Sequence, residues 1–248
     1  MEALFVTLFY LAYVVTVCEV SRQISQVLLP RQYYLVAVEF FGTLQLCTSV
    51  FENTSFYVHY GFWGFYLGLT FVIFLTICTT KGATTNPAQI IEDHLVTRSL
   101  PARIFLFLLV AQLVAGFLAF RLAKLFWFMQ MNEFHAERYL HFICSTDCTV
   151  TPLQGMLAEF VATALTRYLT LRVLRSFSGL TAVAIISACC STVTVIGLSI
   201  TGMYLNPVLA SSITFGCEGL DSLGHGVVYW FGPISGWIAG TKLDQYLK

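Results

Sequence analysis

Charged residues are scarce in this chain. Lysine, arginine, aspartate and glutamate together make up 10% of its 248 residues, whereas a soluble domain carries about 25%. Hydrophobic residues reach 57%, and the mean hydropathy is +0.77. This composition excludes an ordinary soluble domain and predicts an all-α protein that crosses a lipid bilayer several times.

The sequence also lacks an excess of positive charge. Thirteen basic residues balance thirteen acidic ones, and no basic block occurs, so nucleic acid is not an expected partner. The eight cysteines show no metal-ligand spacing, and the five histidines fall in or near loops. The apolar stretches contain no serine–histidine or paired-aspartate arrangement. We therefore expect no metal, no cofactor and no enzymatic activity.

Two cysteines lie in a polar loop, where Cys144 and Cys148 flank Ser-Thr-Asp. They can pair only if this loop faces an oxidising lumen. Elsewhere, a cysteine in an apolar stretch is usually a small apolar filler. The sequence leaves open whether the two thiols pair.

Seven apolar stretches approach the roughly 20 residues that a membrane-spanning helix needs. The first begins without the basic segment and cleavage site of a signal peptide, so it predicts an extra helix that either spans the membrane or lies against the bundle. The last needs to continue toward residue 243 to reach a useful length. The seven stretches are residues 3–20, 33–51, 62–79, 104–127, 153–174, 180–200 and 226–238.

Basic residues predict the orientation of these spans. Arg121, Lys124 and Arg138 fall on one side, and the other ten fall on the opposite side, which we assign to the cytoplasm. The sequon at Asn53 is then non-cytoplasmic, where glycosylation is chemically possible. Its use remains open because it is close to the membrane.

The second half of the chain repeats the first. Asn206-Pro207 follows Asn86-Pro87 by 120 residues, and each asparagine comes 47 residues after a glutamate, Glu39 or Glu159. Three spans and one short apolar piece form each repeat, residues 33–128 and 153–248, and residues 1–32 precede them. An odd number of spans places the halves in opposite directions, as in channels and transporters.

Each Asn-Pro pair precedes a short apolar piece, residues 87–95 or 207–215. Asparagine caps a helix and proline suits its first turn, so each pair predicts a half-helix that crosses about half the hydrocarbon. Inversion would bring the two positive amino-terminal ends together near the bilayer centre. The predicted result is a narrow aqueous path that repels cations and protons and passes neutral molecules.

These motifs resemble the aquaporin, or major intrinsic protein, family over about residues 33–245. Asn86-Pro87-Ala88 and Asn206-Pro207-Val208 match its two signature boxes, and the segment VYWFGPISG near the end matches it too. The resemblance implies six transmembrane helices, two half-helices and a homotetramer. It also implies that Glu39 and Glu159 accept hydrogen bonds from the box loops. Gly232 and Gly236, four residues apart, are expected to permit close helix packing.

Finer features resemble the unorthodox, or super-aquaporin, branch. Cys217 stands nine residues after Val208, which is the marker of this branch and is associated there with assembly or function. The branch is associated with intracellular membranes, notably the endoplasmic reticulum, and the plasma membrane is the alternative location.

The chain departs from most aquaporins directly after its second box, where Leu209 replaces an arginine. By distance from the boxes, the outer filter would comprise Tyr66, Thr194, Met203 and Leu209. Such an uncharged filter either admits glycerol or hydrogen peroxide beside water, or forms an apolar constriction that slows water. We expect a passive channel. The alternatives are a poorly conducting intracellular scaffold and a coupled carrier.

Overall fold

The structure is a computed structural model that describes residues 3–247. Within this range the chain is mainly α-helical, and its extended pairing is an isolated bridge between Ser145 and Glu218. The helices are α1 (Ala3–Leu28), α2 (Arg31–Thr79), α3 (Pro87–Leu95), α4 (Ala102–Trp127), α5 (Glu133–Leu140), α6 (Pro152–Ser176), α7 (Gly179–Thr201), α8 (Pro207–Thr214), α9 (Ser222–His225) and α10 (Gly232–Tyr246), and a π-helical segment (Gly226–Phe231) leads into α10.

Helix α2 contains two of the predicted spans. It has 49 residues and is interrupted at Gly61, whose φ of 66° and ψ of −157° are not helical. Glycine adopts a positive φ without steric cost, so it allows the direction change that a hairpin of two spans needs. Residues 52–60, expected to lie between two spans, are helical, so the predicted end of a span at residue 51 is wrong.

The extra amino-terminal segment forms a helix that packs on α2. Helices α1, α2, α4 and α7 are long and apolar enough to cross a membrane. On α1, the Thr7 hydroxyl donates to Glu52 Oε1 at 3.0 Å, and the Tyr10 hydroxyl donates to the Thr48 carbonyl at 2.8 Å. These buried hydrogen bonds join α1 to α2 within one packing unit, so α1 is an integral part of that unit.

The chain divides into two compact units that do not follow the sequence repeat. One contains the chain up to Thr85 together with Leu106–Ile143, and the other contains Asn86–Phe105 and the chain from Cys144 onward. Helix α3 comes from the first repeat but belongs to the second unit, which also contains α8. Both half-helices are therefore packed in the same unit.

Close packing of α6 and α10 depends on glycine. A Cβ atom at Gly232, Gly236 or Gly240 would lie 2.8, 2.3 or 2.4 Å from a backbone carbonyl oxygen of α6. These separations are shorter than any normal contact, so only glycine allows the two backbones to approach this closely. With the π-helical segment, the last predicted span continues to Tyr246.

The loop between α5 and α6 is bonded to the segment after α8. Cys144 forms a disulfide with Cys217, and Cys148 is a free thiol. The Thr146 N–H also donates to the Glu218 carbonyl at 2.9 Å. A Cys144–Cys148 pair is therefore not formed, because the fold places the distant Cys217 beside Cys144.

The Asn53 sequon lies inside helix α2 rather than in a loop. The side chain of Asn53 is 1% exposed, and its Nδ2 atom donates to the Phe65 carbonyl at 3.5 Å. A glycosyltransferase needs an accessible, extended acceptor. The folded chain therefore does not present Asn53 for glycosylation.

Candidate functional site

The two Asn-Pro boxes cap the two half-helices in the same way. Asn86 Oδ1 accepts from the Ala88 N–H at 3.0 Å, and Asn206 Oδ1 accepts from the Val208 N–H at 3.1 Å. Each asparagine is extended, and each following proline occupies the first helical turn. The side-chain oxygen therefore satisfies the helix end, which directs the amide nitrogen away from it.

The amino-terminal ends of the half-helices meet within the second unit. Asn86 Nδ2 donates to the carbonyl of Leu205 at 3.2 Å, directly before Asn206. Because an amide nitrogen carries two hydrogens, this bond uses one N–H of Asn86 and leaves a second donor. Two partly positive helix ends thus lie beside each other.

The residue before each asparagine adopts the same uncommon backbone conformation. Thr85 has φ of 53°, and Leu205 has φ of 57°. For residues other than glycine, the left-handed region costs about 1–3 kcal/mol and persists only where the surroundings impose it. The matching strain at repeat-related positions indicates that the boxes are built alike.

Glu39 holds the loop before the first box, inside the first unit. Its Oε1 atom accepts from the Thr85 N–H at 2.7 Å, and its Oε2 atom accepts from the Thr84 N–H at 3.0 Å. Gln112 Nε2 on α4 donates to Oε1 at 2.7 Å. Such charge-assisted bonds satisfy the buried carboxylate and hold Thr85 in its strained conformation.

Glu159 performs the same task before the second box. Its Oε1 atom accepts from the Tyr204 N–H at 3.0 Å and from the Thr201 hydroxyl at 2.8 Å. Its Oε2 atom accepts from the Leu205 N–H at 2.9 Å. The carboxylate is buried, and these donors satisfy it without a positive partner.

The four residues predicted to form the outer filter do not all belong to one unit. Tyr66 lies on α2 in the first unit, whereas Thr194, Met203 and Leu209 lie in the second. Thr194 Oγ1 donates to the Met203 carbonyl at 3.2 Å, and Leu209 lies in the first turn of α8 with 9% exposure.

The Met203 side chain fills space over Gly197. A Cβ atom at Gly197 would lie 1.7 Å from Met203 Cε, and Met203 belongs to a buried cluster with Ala162, Val193 and Leu205. Its side chain therefore contributes to the packing of the second unit. The distance from the Asn-Pro box, which assigned Met203 to the filter, does not predict this packing role.

The sequence did not reveal two buried polar pairs. Glu92 on α3 accepts from Arg167 Nη2 at 2.8 Å. In the first unit, His135 Nε2 lies 2.9 Å from Glu52 Oε1, and both side chains are 0% exposed. His135 was expected near a loop, and α5 instead carries it into the interior. In residues 3–247 no group of three or more histidine, cysteine, aspartate or glutamate side chains is arranged to hold a metal.

The apolar helices and the two half-helices that meet at repeated Asn-Pro boxes define a class of protein, the multi-pass membrane channels built from inverted repeats. Residues 57–243 match the family model described as "Major intrinsic protein". The chain belongs to this family of membrane channels, the aquaporins, in its super-aquaporin branch.

Known relatives cover nearly the whole chain. Aquaporin-11 of Milnesium tardigradum is 30% identical over 100% of this chain and 89% of its own length. Aquaporin-12 of Mus musculus is 32% identical over 99% of this chain and 87% of its own. The solved structure of the aquaglyceroporin from Plasmodium falciparum superimposes with a TM-score of 0.67 at 16% identity, covering 86% of this chain and 95% of that one. This similarity shows that the fold is that of an aquaporin.

Proposed function

We propose that the chain is a passive channel for water and small neutral solutes such as glycerol or hydrogen peroxide. Asn86, Pro87, Ala88, Asn206, Pro207 and Val208 form the waist of its pore. The main support for this proposal is the 3.2 Å hydrogen bond from Asn86 Nδ2 to the Leu205 carbonyl. Because Leu205 directly precedes Asn206, this bond joins the two Asn-Pro boxes. A passing molecule would exchange hydrogen bonds with the amides there.

The charge distribution favours neutral permeants. The two adjoining helix amino termini create a positive potential that repels cations and protons. At the filter, Leu209 supplies neither the charge nor the donors of an arginine. Tyr66 and Thr194 remain as its polar members, and Met203 contributes mainly packing. A filter that lacks the arginine carries no charge and is wider, which would admit neutral solutes larger than water, including glycerol and hydrogen peroxide.

The Cys144–Cys217 disulfide supports the assigned orientation. Disulfides form and persist in oxidising compartments, and this loop lies on the side that carries few basic residues. From its resemblance to the super-aquaporin branch we place the channel in an intracellular membrane, the endoplasmic reticulum, with this loop in its lumen; the plasma membrane, with the loop outside the cell, is the alternative. We further propose a homotetramer with one pore in each subunit.

Reconstitution into liposomes tests the proposed function. Stopped-flow light scattering would measure the permeability of water and glycerol, and an enclosed dye would report hydrogen peroxide. We expect water flux with a low activation energy, as a pore shows and a carrier does not.

A filter variant separates a channel from a scaffold. Leu209→Arg should lower glycerol and peroxide flux relative to water, because the added guanidinium narrows and charges the filter. Leu209→Met is the control that keeps apolar character and similar volume. A wild-type protein that is folded, correctly inserted and no more permeable than empty liposomes would overturn the proposal and favour a scaffold.

A further inference from the structure

A buried carboxylate occupies an unfavourable place on the first half-helix. Glu92 lies in the last turns of α3, six residues after Asn86, and its side chain is 2% exposed. The carboxyl end of a helix carries partial negative charge, so an acidic side chain there is repelled. Burial adds a desolvation cost. Such a group persists only where specific partners compensate it.

The partners of Glu92 come from two other helices of the same unit. Arg167 Nη2 on α6 donates to Glu92 Oε2 at 2.8 Å, and Trp237 Nε1 on α10 donates to the same oxygen at 2.6 Å. Arg167 Nε also donates to Thr241 Oγ1 at 2.9 Å. The guanidinium carbon lies 4.6 Å from the centre of the Trp237 ring. We call Glu92, Arg167 and Trp237 the carboxylate clamp.

Helix α3 is therefore held at both ends. Its amino end is fixed where Asn86 Nδ2 donates to the Leu205 carbonyl at 3.2 Å, and its carboxyl end is fixed by the clamp. Glu92 lies six positions after Asn86, which corresponds to about 9 Å along the helix at 1.5 Å per residue. A helix this short moves as a rigid rod, so a shift at Glu92 reaches the Asn86 amide.

The second half-helix has no ionic clamp at the matching position. Ser212, six residues after Asn206, donates within its own helix to the Leu209 carbonyl at 2.7 Å. Helix α8 is held by Ser211, which accepts from Trp230 Nε1 and pairs with His225 Nε2, each at 3.0 Å. The carboxylate clamp is thus specific to α3, and the repeat of the sequence does not account for it.

We infer that the carboxylate clamp positions the Asn86 amide and thereby sets the width of the pore waist. This inference rests on the proposed channel function. Glu92, Arg167 and Trp237 are positioning residues that act through α3 and need not touch the permeant. Loosening the clamp should let α3 shift and should change which solutes pass.

The test compares glycerol-to-water permeability ratios in liposomes. Trp237→Phe removes one donor from Glu92 while keeping an aromatic ring and the ion pair. Glu92→Gln with Arg167→Gln removes both charges together, which avoids leaving one charge buried alone. We expect each variant to change the ratio at least threefold from that of the wild type.

A matched control is available at the far end of the same two helices. Asp244 on α10 pairs with Arg172 and Arg175 of α6 and so joins the two helices, and these ion pairs involve no residue of α3. Asp244→Asn should lower the thermal midpoint and leave the permeability ratio unchanged. A purely structural clamp would behave like this control.

The outcomes distinguish the two proposals. Conduction by the wild type with unchanged ratios in both clamp variants would overturn the clamp and leave the channel function standing. A wild type that conducts neither solute would overturn both. If the double variant fails to fold, Trp237→Phe alone decides, because it keeps both charges in place.

Discussion

Loss of the Cys144–Cys217 disulfide should destabilise the second unit by a measurable amount. The bond closes a loop between cysteines 73 residues apart. For a loop of this length, the chain-entropy model gives about 4 kcal/mol of stabilisation at 25 °C. Helices that persist in a micelle already restrict the unfolded chain, so we expect a loss of about 2–4 kcal/mol.

Thermal unfolding in detergent would measure this loss. Cys217→Ser, Cys144→Ser and the double variant should each lower the thermal midpoint by on the order of 10 °C, since a protein of this size shifts by about 2–4 °C per kcal/mol. The double variant should lose no more than either single one, because the cysteines act as one bond. Cys148→Ser is the control, as Cys148 is a free thiol.

A chemical readout accompanies the melting curves. Alkylation without reductant, followed by peptide mass spectrometry, should find Cys144 and Cys217 in one linked peptide and Cys148 labelled. Reductant should lower the midpoint of the wild type and leave that of the double variant unchanged. A Cys144–Cys148 linkage, or equal midpoints for Cys217→Ser and the wild type, would refute the reasoning.

Three further changes test the packing, a box loop and a buried histidine. Gly236→Ala should lower the free energy of unfolding by about 1–3 kcal/mol, because the new methyl group would lie 2.3 Å from the Phe160 carbonyl oxygen. Gly226→Ala is the control, since a methyl group there meets nothing within 4 Å. Chemical denaturation should find its free energy of unfolding nearly unchanged. Glu159→Gln should cost about 1–3 kcal/mol, since an amide nitrogen cannot accept from the backbone N–H groups before the second box; an unchanged midpoint would contradict this role. Burial lowers the pKa of His225, in α9, to about 4 from an ordinary value of 6.5, so its stabilising contribution is complete above pH 6.5 and falls as the pH drops toward 4. Melting from pH 7.5 to 5 should show this loss, and His225→Gln should reduce it.

Local sequence patterns predict that α1 is a helix but do not predict how it packs on α2. Its apolar composition predicts a helix of spanning length, and α1 has 26 residues. The alternatives of spanning or lying against the bundle could not be separated, because the choice depends on side chains far along the chain. The Thr7–Glu52 hydrogen bond joins residues 45 positions apart, and no local pattern marks such a pair.

The sequence also did not predict which polar side chains are accessible to solvent. A sequon is recognised from three consecutive residues, yet Asn53 lies inside α2 and is buried there. His135 was expected near a loop, and α5 turns it toward the buried Glu52. Burial depends on which surfaces meet, and the residues that cover a side chain are distant in sequence.

The sequence by itself determined the membrane environment, the repeat and the two Asn-Pro boxes. These properties follow from hydrophobic length, helix-capping chemistry and a constant spacing, all of which are local or periodic. The tertiary structure alone decided that Cys144 pairs with Cys217, that α3 joins the unit containing α8, and that Arg167 and Trp237 compensate Glu92. Those contacts form only when helices pack, because packing brings together donors, acceptors and thiols that the chain separates by many residues.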